Sequence, residues 1–195
     1  TTVRSFAAAG CGAAQCQPVW TADVGVPLSG LVADGNRLYT VGGTDPDREL
    51  LALDIATGAV VWRTPLAFFF QGMAAFDGIV YVATGSDSVP PTLSAYDGAG
   101  CVATCSPLWT APIPGGRVTA NLAGAGGVVY VASDAGVVSA YDAAGCGAAT
   151  CAPVKEVLLD GDSTGTLIVA SGHLYAGISA QTAPFSRVVA FAPGA

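Results

Sequence analysis

Residues 139–153 read SAYDAAGCGAATCAP, and the same pattern returns at several other places in the chain. Copies with cysteines lie at 5–18 (SFAAAGCGAAQCQP) and 94–107 (SAYDGAGCVATCSP), and copies without cysteines lie at 51–62 (LALDIATGAVVW) and 189–194 (VAFAPG). Self-similarity at a period of about 45 residues is typical of repeat architectures, in which each copy is one supersecondary unit. The fold is therefore inferred from the aligned copies.

Three further short runs accompany these copies, and each of the three occurs four times along the chain. One run ends in Asp-Gly in two of the units, which is a strong signal for a tight hairpin turn. The next run is apolar and carries a tyrosine, and a short run after the cysteine loop ends in tryptophan. The tyrosines are Tyr39, Tyr81, Tyr130 and Tyr175, and the tryptophans are Trp20, Trp62 and Trp109. Four short β-rich runs in about 40 to 50 residues are typical of a β-propeller blade.

We therefore predict an all-β fold, a β-propeller of four-stranded antiparallel blades with about four blades in this chain. No segment shows sustained helical periodicity, so helix content should be near zero. The chain is interpreted as a single propeller domain, 1–195, with repeat units at 1–20 (partial), 21–62, 63–109, 110–156 and 157–195 (partial). About 17 strands are expected, because the third run of the unit occurs once more often than each of the others.

Composition narrows the classes of partner. Charged residues make up 11% of the 195 residues, and the net charge is −7. The few Lys and Arg are scattered, so a nucleic-acid partner is not expected. No apolar run approaches the roughly 18 residues of a membrane helix, and no membrane span is predicted. The chain starts at Thr1 without Met, which indicates a processed or excised segment.

The cysteines fall in three local pairs, and each pair lies at the same place in its repeat. The pairs are Cys11 with Cys16, Cys101 with Cys105, and Cys146 with Cys151. A zinc site needs convergent cysteines and histidines at tighter spacing, and the one histidine, His173, lies in a unit without cysteines. We predict three local disulfides that staple the lengthened hairpin between the third and outermost strands. Such bonds place the chain in an oxidising compartment.

The pattern A-[YLF]-D-x-x-x-G-x-x-x-W at 52–62, with the SAYD-x-x-G-C copies, resembles the PQQ-like β-propeller repeat family over essentially the whole chain. That family includes quinoprotein dehydrogenases and many non-enzymatic bacterial scaffolds. The resemblance implies blades whose first strand is innermost, with Trp20, Trp62 and Trp109 packed at the blade interfaces. Lys155 occupies the equivalent place in the last copy, so the last blade interface should be weaker.

The enzymes of that family hold a quinone with a Trp platform, a calcium site, a catalytic Asp and often a disulfide between adjacent cysteines. No residue of this sequence can be assigned to any of these parts. No catalytic residue and no cofactor are therefore predicted.

Two acidic clusters are weak candidates for a cation site. Asp160 and Asp162 lie in DGDSTG, and Asp45 and Asp47 lie beside Arg48. Calcium uses such oxygen-rich loops, but the further ligands of an EF-hand-type loop are missing, so turns are the favoured interpretation.

Other polar and aromatic residues receive structural interpretations. The aspartates Asp54, Asp97 and Asp142 share one repeat position and should open turns on three different blades. His173 has no partner in any nucleophile motif, and we interpret it as a half-exposed residue at a strand end. The cluster 66–70 (LAFFF) is either inter-blade core or an exposed patch for a partner, and core is favoured.

The blades of a propeller are arranged in a circle, and three interpretations remain open for how the blades of this chain complete it. The chain is a segment of a longer propeller, or it assembles as two or more copies, or it is an open arc whose exposed edges build a filament. The predicted function is an extracellular structural or binding module that contacts a protein or other copies of itself. The alternatives are a fragment of a PQQ-dependent quinoprotein dehydrogenase-like enzyme and a glycan-binding propeller. The predicted location is extracellular, cell-surface or periplasmic, in a bacterium.

Overall fold

The computed structural model describes residues 2–44, 47–86, 88–101, 104–119, 121–159, 162–179 and 187–192, with backbone only for 162–165 and 179. The chain is all-β in this part and contains 17 strands and no helix. Nowhere in these ranges is there a helix long and apolar enough to cross a membrane.

Three consecutive sheets have four antiparallel strands, and in each sheet every strand pairs with the next along the chain. Blade 1 contains β3 (Leu28–Asp34), β4 (Arg37–Gly42), β5 (Arg48–Asp54) and β6 (Val60–Leu66). Blade 2 contains β7 (Phe69–Phe76), β8 (Ile79–Gly85), β9 (Thr92–Asp97) and β10 (Trp109–Pro112). Blade 3 contains β11 (Ala123–Ala125), β12 (Val128–Ala132), β13 (Val137–Asp142) and β14 (Lys155–Leu158).

Smaller sheets flank these blades. The N-terminal sheet pairs β1 (Thr2–Ser5) with β2 (Trp20–Asp23), and the C-terminal sheet pairs β15 (Asp162–Ala170), β16 (His173–Ser179) and β17 (Arg187–Phe191). No strand of one pairs with a strand of the other within the described residues, so the described strands form an open arc. The surplus third strand is present, because β1, β5, β9, β13 and β17 all occupy that position.

Tight turns join the strands because the sequence supplies residues that tolerate a left-handed backbone. Asp77 and Gly78, between β7 and β8, have φ of 54° and 78°. A two-residue hairpin turn with positive φ at both positions matches the twist of the strands it joins. The Asp34 carboxylate accepts a hydrogen bond of 2.7 Å from the Gly78 amide, so the corresponding turns of blades 1 and 2 are linked directly.

Each blade has a core on both faces, which explains why its middle strands are apolar throughout. Along β5, Leu51 and Leu53 face the N-terminal sheet, whereas Leu50 and Ala52 face blade 2. Successive side chains of a strand point to opposite faces, so one strand contributes to two cores. All four residues are fully buried, and each buried Leu stabilises the fold by roughly 2 kcal/mol.

The first strands lie innermost. The first strand of each sheet contacts the first strand of the next: β3 contacts β7, β7 contacts β11, and β11 contacts β15. Within each sheet, the later strands follow in chain order, each farther from this centre. Neighbouring sheets are joined by apolar cores, of which the one between blades 2 and 3 contains Tyr81, Leu93, Val129 and Tyr141. The prediction of a β-propeller with four-stranded antiparallel blades is confirmed.

The arc has two faces, because antiparallel strands turn alternately at opposite ends. The turns between first and second strands meet the hairpins between third and fourth strands, as in the bond from the Gly98 amide to the Gly78 carbonyl. We call this end the hairpin face. At the opposite end the connections between sheets meet the loops between second and third strands, as in the bond from the Asp134 amide to the Arg117 carbonyl. We call this end the connection face.

Candidate functional site

The three tryptophans lie at equivalent contacts between neighbouring sheets. Each belongs to an outermost strand, and its indole Nε1–H donates to a carbonyl in the hairpin of the next blade. Trp20 donates to Ile55 at 3.0 Å, Trp62 to Gly98 at 3.1 Å and Trp109 to Ala143 at 3.3 Å. A buried indole N–H needs such a partner, so one contact supplies both apolar burial and a satisfied donor.

A tyrosine reinforces the same carbonyl at two of these interfaces. The Tyr39 hydroxyl donates to Gly98 O at 3.2 Å, and the Tyr81 hydroxyl donates to Ala143 O at 3.0 Å. The tyrosine ring also lies beside the tryptophan, with ring centroids 6.1 Å apart for Tyr39 and Trp62. The tyrosine register of the sequence therefore has a structural role that sequence reasoning missed.

A glycine in the receiving hairpin lies against each indole ring. Gly58 faces Trp20, Gly100 faces Trp62 and Gly145 faces Trp109, with φ of 74°, 88° and 87°. An added Cβ would come within 2.5 Å, 2.2 Å and 2.5 Å of the respective ring. Glycine is thus required here for backbone conformation and for the close approach of the ring.

Burial raises the pKa values of the interface tyrosines. Desolvation is the main cause for Tyr39, followed by the nearby charge of Asp34, and desolvation is also the main cause for Tyr81. For Tyr141, whose hydroxyl donates to Pro112 O at 2.8 Å, burial raises the pKa to about 12. These hydroxyls therefore stay neutral donors at physiological pH.

The structure contains the three predicted disulfides: Cys11–Cys16, Cys101–Cys105 and Cys146–Cys151. No cysteine within the described ranges is free. All three lie in hairpins between third and fourth strands, at the hairpin face. The bonds indicate an oxidising compartment.

The disulfide loops also contact the preceding blade, which sequence reasoning did not anticipate. In the Cys146–Cys151 loop, the Cys151 amide donates to Thr110 O at 2.7 Å and Ala149 O accepts from the Thr110 amide at 2.9 Å. In the preceding loop, Cys105 O accepts from the Thr64 hydroxyl at 3.0 Å. These two loops therefore tie their blades to the outermost strand of the blade before them.

Only two of the four candidate cation residues lie in the described part of the chain. Asp45 and Asp160 lie outside the described residues, Asp47 is exposed, and the backbone of Asp162 begins β15. No group of three or more His, Cys, Asp or Glu that could hold a metal ion occurs among the described residues.

The repeated aspartates open turns. The Asp54 carboxylate accepts from the amides of Ala56 and Thr57 and from the Thr57 hydroxyl, at 2.8–3.1 Å. The hydrogen bond from the Thr57 hydroxyl is the main cause of a lowered pKa at Asp54. Asp97 and Asp142 accept from the amides of Ala99 and Ala144 in the same way. His173 is exposed and lies 3.0 Å from Ser171 O.

The cluster 66–70 divides between core and surface. Leu66 is buried and Phe70 packs partly against the core between blades 1 and 2. Phe68 and Phe69, however, are 49% and 50% exposed, so the favoured interpretation as core is wrong for these two rings. Phe68 lies in the connection from β6 to β7, where the chain crosses from one blade to the next, and Phe69 is the first residue of β7.

These rings lie on the connection face, which also carries an arginine contact and a cleft. The Arg48 guanidinium lies 5.3 Å from the Phe69 ring centroid, in range of a cation–π contact. Phe69 pairs with Gly85, and the next residue, Ser86, lines a cleft of about 590 Å³. Arg117 and Asp134 are exposed and line the same cleft.

Four-stranded antiparallel sheets arranged around innermost first strands define the chain as a β-propeller protein. The family model described as outer membrane protein assembly factor BamB, a family of PQQ-like repeats, matches residues 3–103. The match covers more than half of the chain, and the chain belongs to this family. The predicted resemblance to PQQ-like repeats is therefore confirmed.

Solved structures show the same fold at low sequence identity. BamB from Moraxella catarrhalis has a TM-score of 0.67 and 21% identity over 98% of this chain and 52% of its own. The computationally designed protein Ika4 has a TM-score of 0.66 and 14% identity over 92% and 100%. Glutaminyl cyclase from Myxococcus xanthus has a TM-score of 0.51 and 17% identity over 97% and 83%.

The chain thus spans about half the length of the Moraxella BamB that it matches. A search of curated proteins found no significant match.

Proposed function

We propose that this chain is a protein-binding propeller module of the cell envelope that takes part in the assembly of outer membrane proteins. The observation that carries the proposal is the exposed pair Phe68 and Phe69 beside Arg48 on the connection face. Aromatic rings and arginine are the residue types that dominate the energetics of protein interfaces. The family description, outer membrane protein assembly factor, supports the choice of setting.

The backbone at Phe68 supports a functional interpretation of this pair. Phe68 has φ of 67°, in the left-handed region that bulky residues rarely adopt. Such a conformation costs an L-residue about 1–2 kcal/mol. Strained residues of this kind are concentrated at binding sites, where function outweighs their cost in stability. The Phe68 side chain is half-exposed, so the strained residue contributes little to the core.

The location in an oxidising part of the envelope rests on the disulfides together with the family. Within that setting, a protein of the outer-membrane assembly apparatus is the proposed partner, and a second copy of this chain is the alternative partner. No residue of the described part is assigned a catalytic role in this proposal.

Site-specific photo-crosslinking in the native host tests the proposal. A photoreactive phenylalanine at position 69 should crosslink to a partner protein, identified by mass spectrometry. The same group at Leu108, which is 53% exposed and immediately precedes the outermost strand β10, is the matched control and should give no such product. Equal crosslinking at both positions, or none at position 69, would contradict the proposal. A product with the mass of two copies of this chain would identify self-assembly instead.

A companion variant separates binding from folding. Phe68→Gly should keep the midpoint of urea unfolding or raise it, because glycine tolerates the positive φ, while the crosslink from position 69 is lost. A loss of stability with crosslinking retained would show that Phe68 serves the fold. Detection of a tightly bound quinone or metal in the purified chain would favour the quinoprotein interpretation.

A further inference from the structure

A cleft of about 540 Å³ lies between blade 3 and the C-terminal sheet. Its walls are apolar and include Tyr130 and Val138 from blade 3, and Leu174 and Phe191 from the C-terminal sheet. Among the described residues that line it, Lys155 alone carries a charge. A concave apolar site of this size with one polar group is typical of small-molecule binding sites.

The strand registers show why the cleft exists. In blade 1 Ala52 pairs with Trp62, in blade 2 Ala95 pairs with Trp109, and in blade 3 Ala140 pairs with Lys155. Lys155 therefore stands in the position that an indole ring occupies at the other interfaces. Lysine is exposed here and leaves the space between the sheets open.

The wall residues also correspond by repeat position. Tyr130 lies in the register of Tyr81, which is 6.0 Å from the Trp109 ring, measured between ring centroids. Phe191 lies in the register of Tyr141, which belongs to the core that Trp109 joins. The cleft is thus built from the same kind of surface that contacts an indole elsewhere in the molecule, with the indole missing.

The charge at the edge of the cleft narrows the ligand class further. Lys155 is long enough to lay its alkyl stem along the apolar wall with the ammonium at the solvent edge. Its neighbour Glu156 pairs with Ser139 and, by alternation along β14, points to the other face of the sheet. An apolar cleft with a cation at its mouth is complementary to an aromatic ring that carries an anionic group.

We propose that this cleft binds a planar aromatic molecule of indole size with a carboxylate, the ring between the two sheets and the carboxylate on the Lys155 ammonium. The ligand fills the position that tryptophan fills at the other interfaces. Because it bridges two sheets of the folded state only, it stabilises their interface by mass action.

Calorimetric titration with three probes tests this site: indole-3-propionate, neutral indole and cationic tryptamine. Indole-3-propionate should bind most tightly and tryptamine most weakly. Lys155→Met should lower the affinity for indole-3-propionate about tenfold, because one charge-assisted hydrogen bond is lost. The affinity for neutral indole should not change. Arg4→Met, which removes an exposed charge from β1, is the matched control and should change nothing. Equal affinity for the anionic and cationic probes would overturn the role of Lys155.

Filling the cleft from within gives a second test. Lys155→Trp should abolish binding of all three probes and raise the Tm of the free protein by about 3 °C, as cavity-filling substitutions do. Undiminished binding by Lys155→Trp would overturn the proposed site, and so would the absence of binding by the wild-type chain.

A third measurement does not depend on any variant. In the wild-type protein, the methyl resonances of Val138 and Leu174 should shift when indole-3-propionate is added. Those of Leu50 and Val82, buried at the interface that Trp62 fills, should not. Equal shifts at the two interfaces would show binding elsewhere and would overturn the assignment.

Discussion

At the scale of the residue, a single backbone carbonyl organises the interface between blades 1 and 2, and another organises the interface between blades 2 and 3. Gly98 O accepts hydrogen bonds from both Tyr39 and Trp62, and Ala143 O accepts from both Tyr81 and Trp109. A carbonyl has two lone pairs, so it satisfies both buried donors at once. The nearby glycine lets the indole approach the hairpin closely enough for this geometry.

Gly100→Ala tests the glycine contact against a matched glycine. Both Gly100 and Gly147 have positive φ (88° and 78°), but an added Cβ at Gly147 would meet nothing within 4 Å. Gly147→Ala should therefore lower the free energy of unfolding by about 1 kcal/mol, from backbone strain alone. Gly100→Ala also forces the Trp62 ring to move and should lower the free energy of unfolding by about 3 kcal/mol. Urea unfolding followed by tryptophan fluorescence measures both. Equal losses would show that the ring contact has no energetic importance.

The hairpin with its disulfide is the characteristic element of this chain. Its cysteines close a short loop, and in blade 3 that loop also bonds to Thr110 of the preceding blade. Cys151 is buried in the core between blades 2 and 3. The element therefore stabilises the fold by restricting the unfolded chain and by extending the contact between two blades.

Removing two disulfides of equal loop length separates these contributions. Cys11–Cys16 and Cys146–Cys151 each span a sequence separation of 5, so the entropic loss on replacing either pair by alanine should be the same. Replacing the first pair should lower the free energy of unfolding by about 2 kcal/mol. Replacing the second pair should lower it by about 3 kcal/mol, because the contact of the docked loop with the preceding blade is lost as well. Thermal unfolding of the two double variants gives the difference. Equal losses would mean that the bonds to Thr110 add nothing.

At the scale of the whole molecule, the sheets are stacked around the innermost strands β3, β7, β11 and β15. Each of blades 1, 2 and 3 has a core on both of its faces, so stability depends on the series of interfaces between neighbours. Three of these interfaces contain a tryptophan, and the one between blade 3 and the C-terminal sheet contains Lys155 beside an open cleft. The prediction that this last interface is the weakest follows from that difference.

Hydrogen exchange measures this ranking directly. β8 and β16 are both second strands with a partner strand on each side, so the comparison uses amides of β8 and of residues 174–176 of β16, which are paired on both sides. Amides of β16 should nevertheless exchange at least about tenfold faster, because opening the last interface exposes them without loss of a buried tryptophan. Lys155→Trp should slow exchange in β16 and leave β8 unchanged. Similar rates in the wild-type protein would contradict a weak last interface.

Local features of the chain were predictable from sequence because they depend on neighbours along the chain. The repeat registers predict four strands per unit, Asp77-Gly78 predicts its turn, and cysteines four or five positions apart predict local disulfides. Even the surplus third strand follows from counting copies. These features need only the alternation of side chains and the preferences of turn residues.

The packing of one sheet on the next was decided by tertiary structure. Phe68 and Phe69 are as apolar as Leu66, and no local pattern separates the buried side chain from the exposed rings. Phe68 lies in the crossing between blades and Phe69 at the start of the innermost strand β7, so the packing of neighbouring sheets decides which side chains are covered. The docking of the disulfide loop on Thr110 and the cleft beside Lys155 join residues that are far apart along the chain or lie on different sheets. Sequence determined the blades and their strand order, whereas tertiary structure determined which surfaces those blades cover and which remain open.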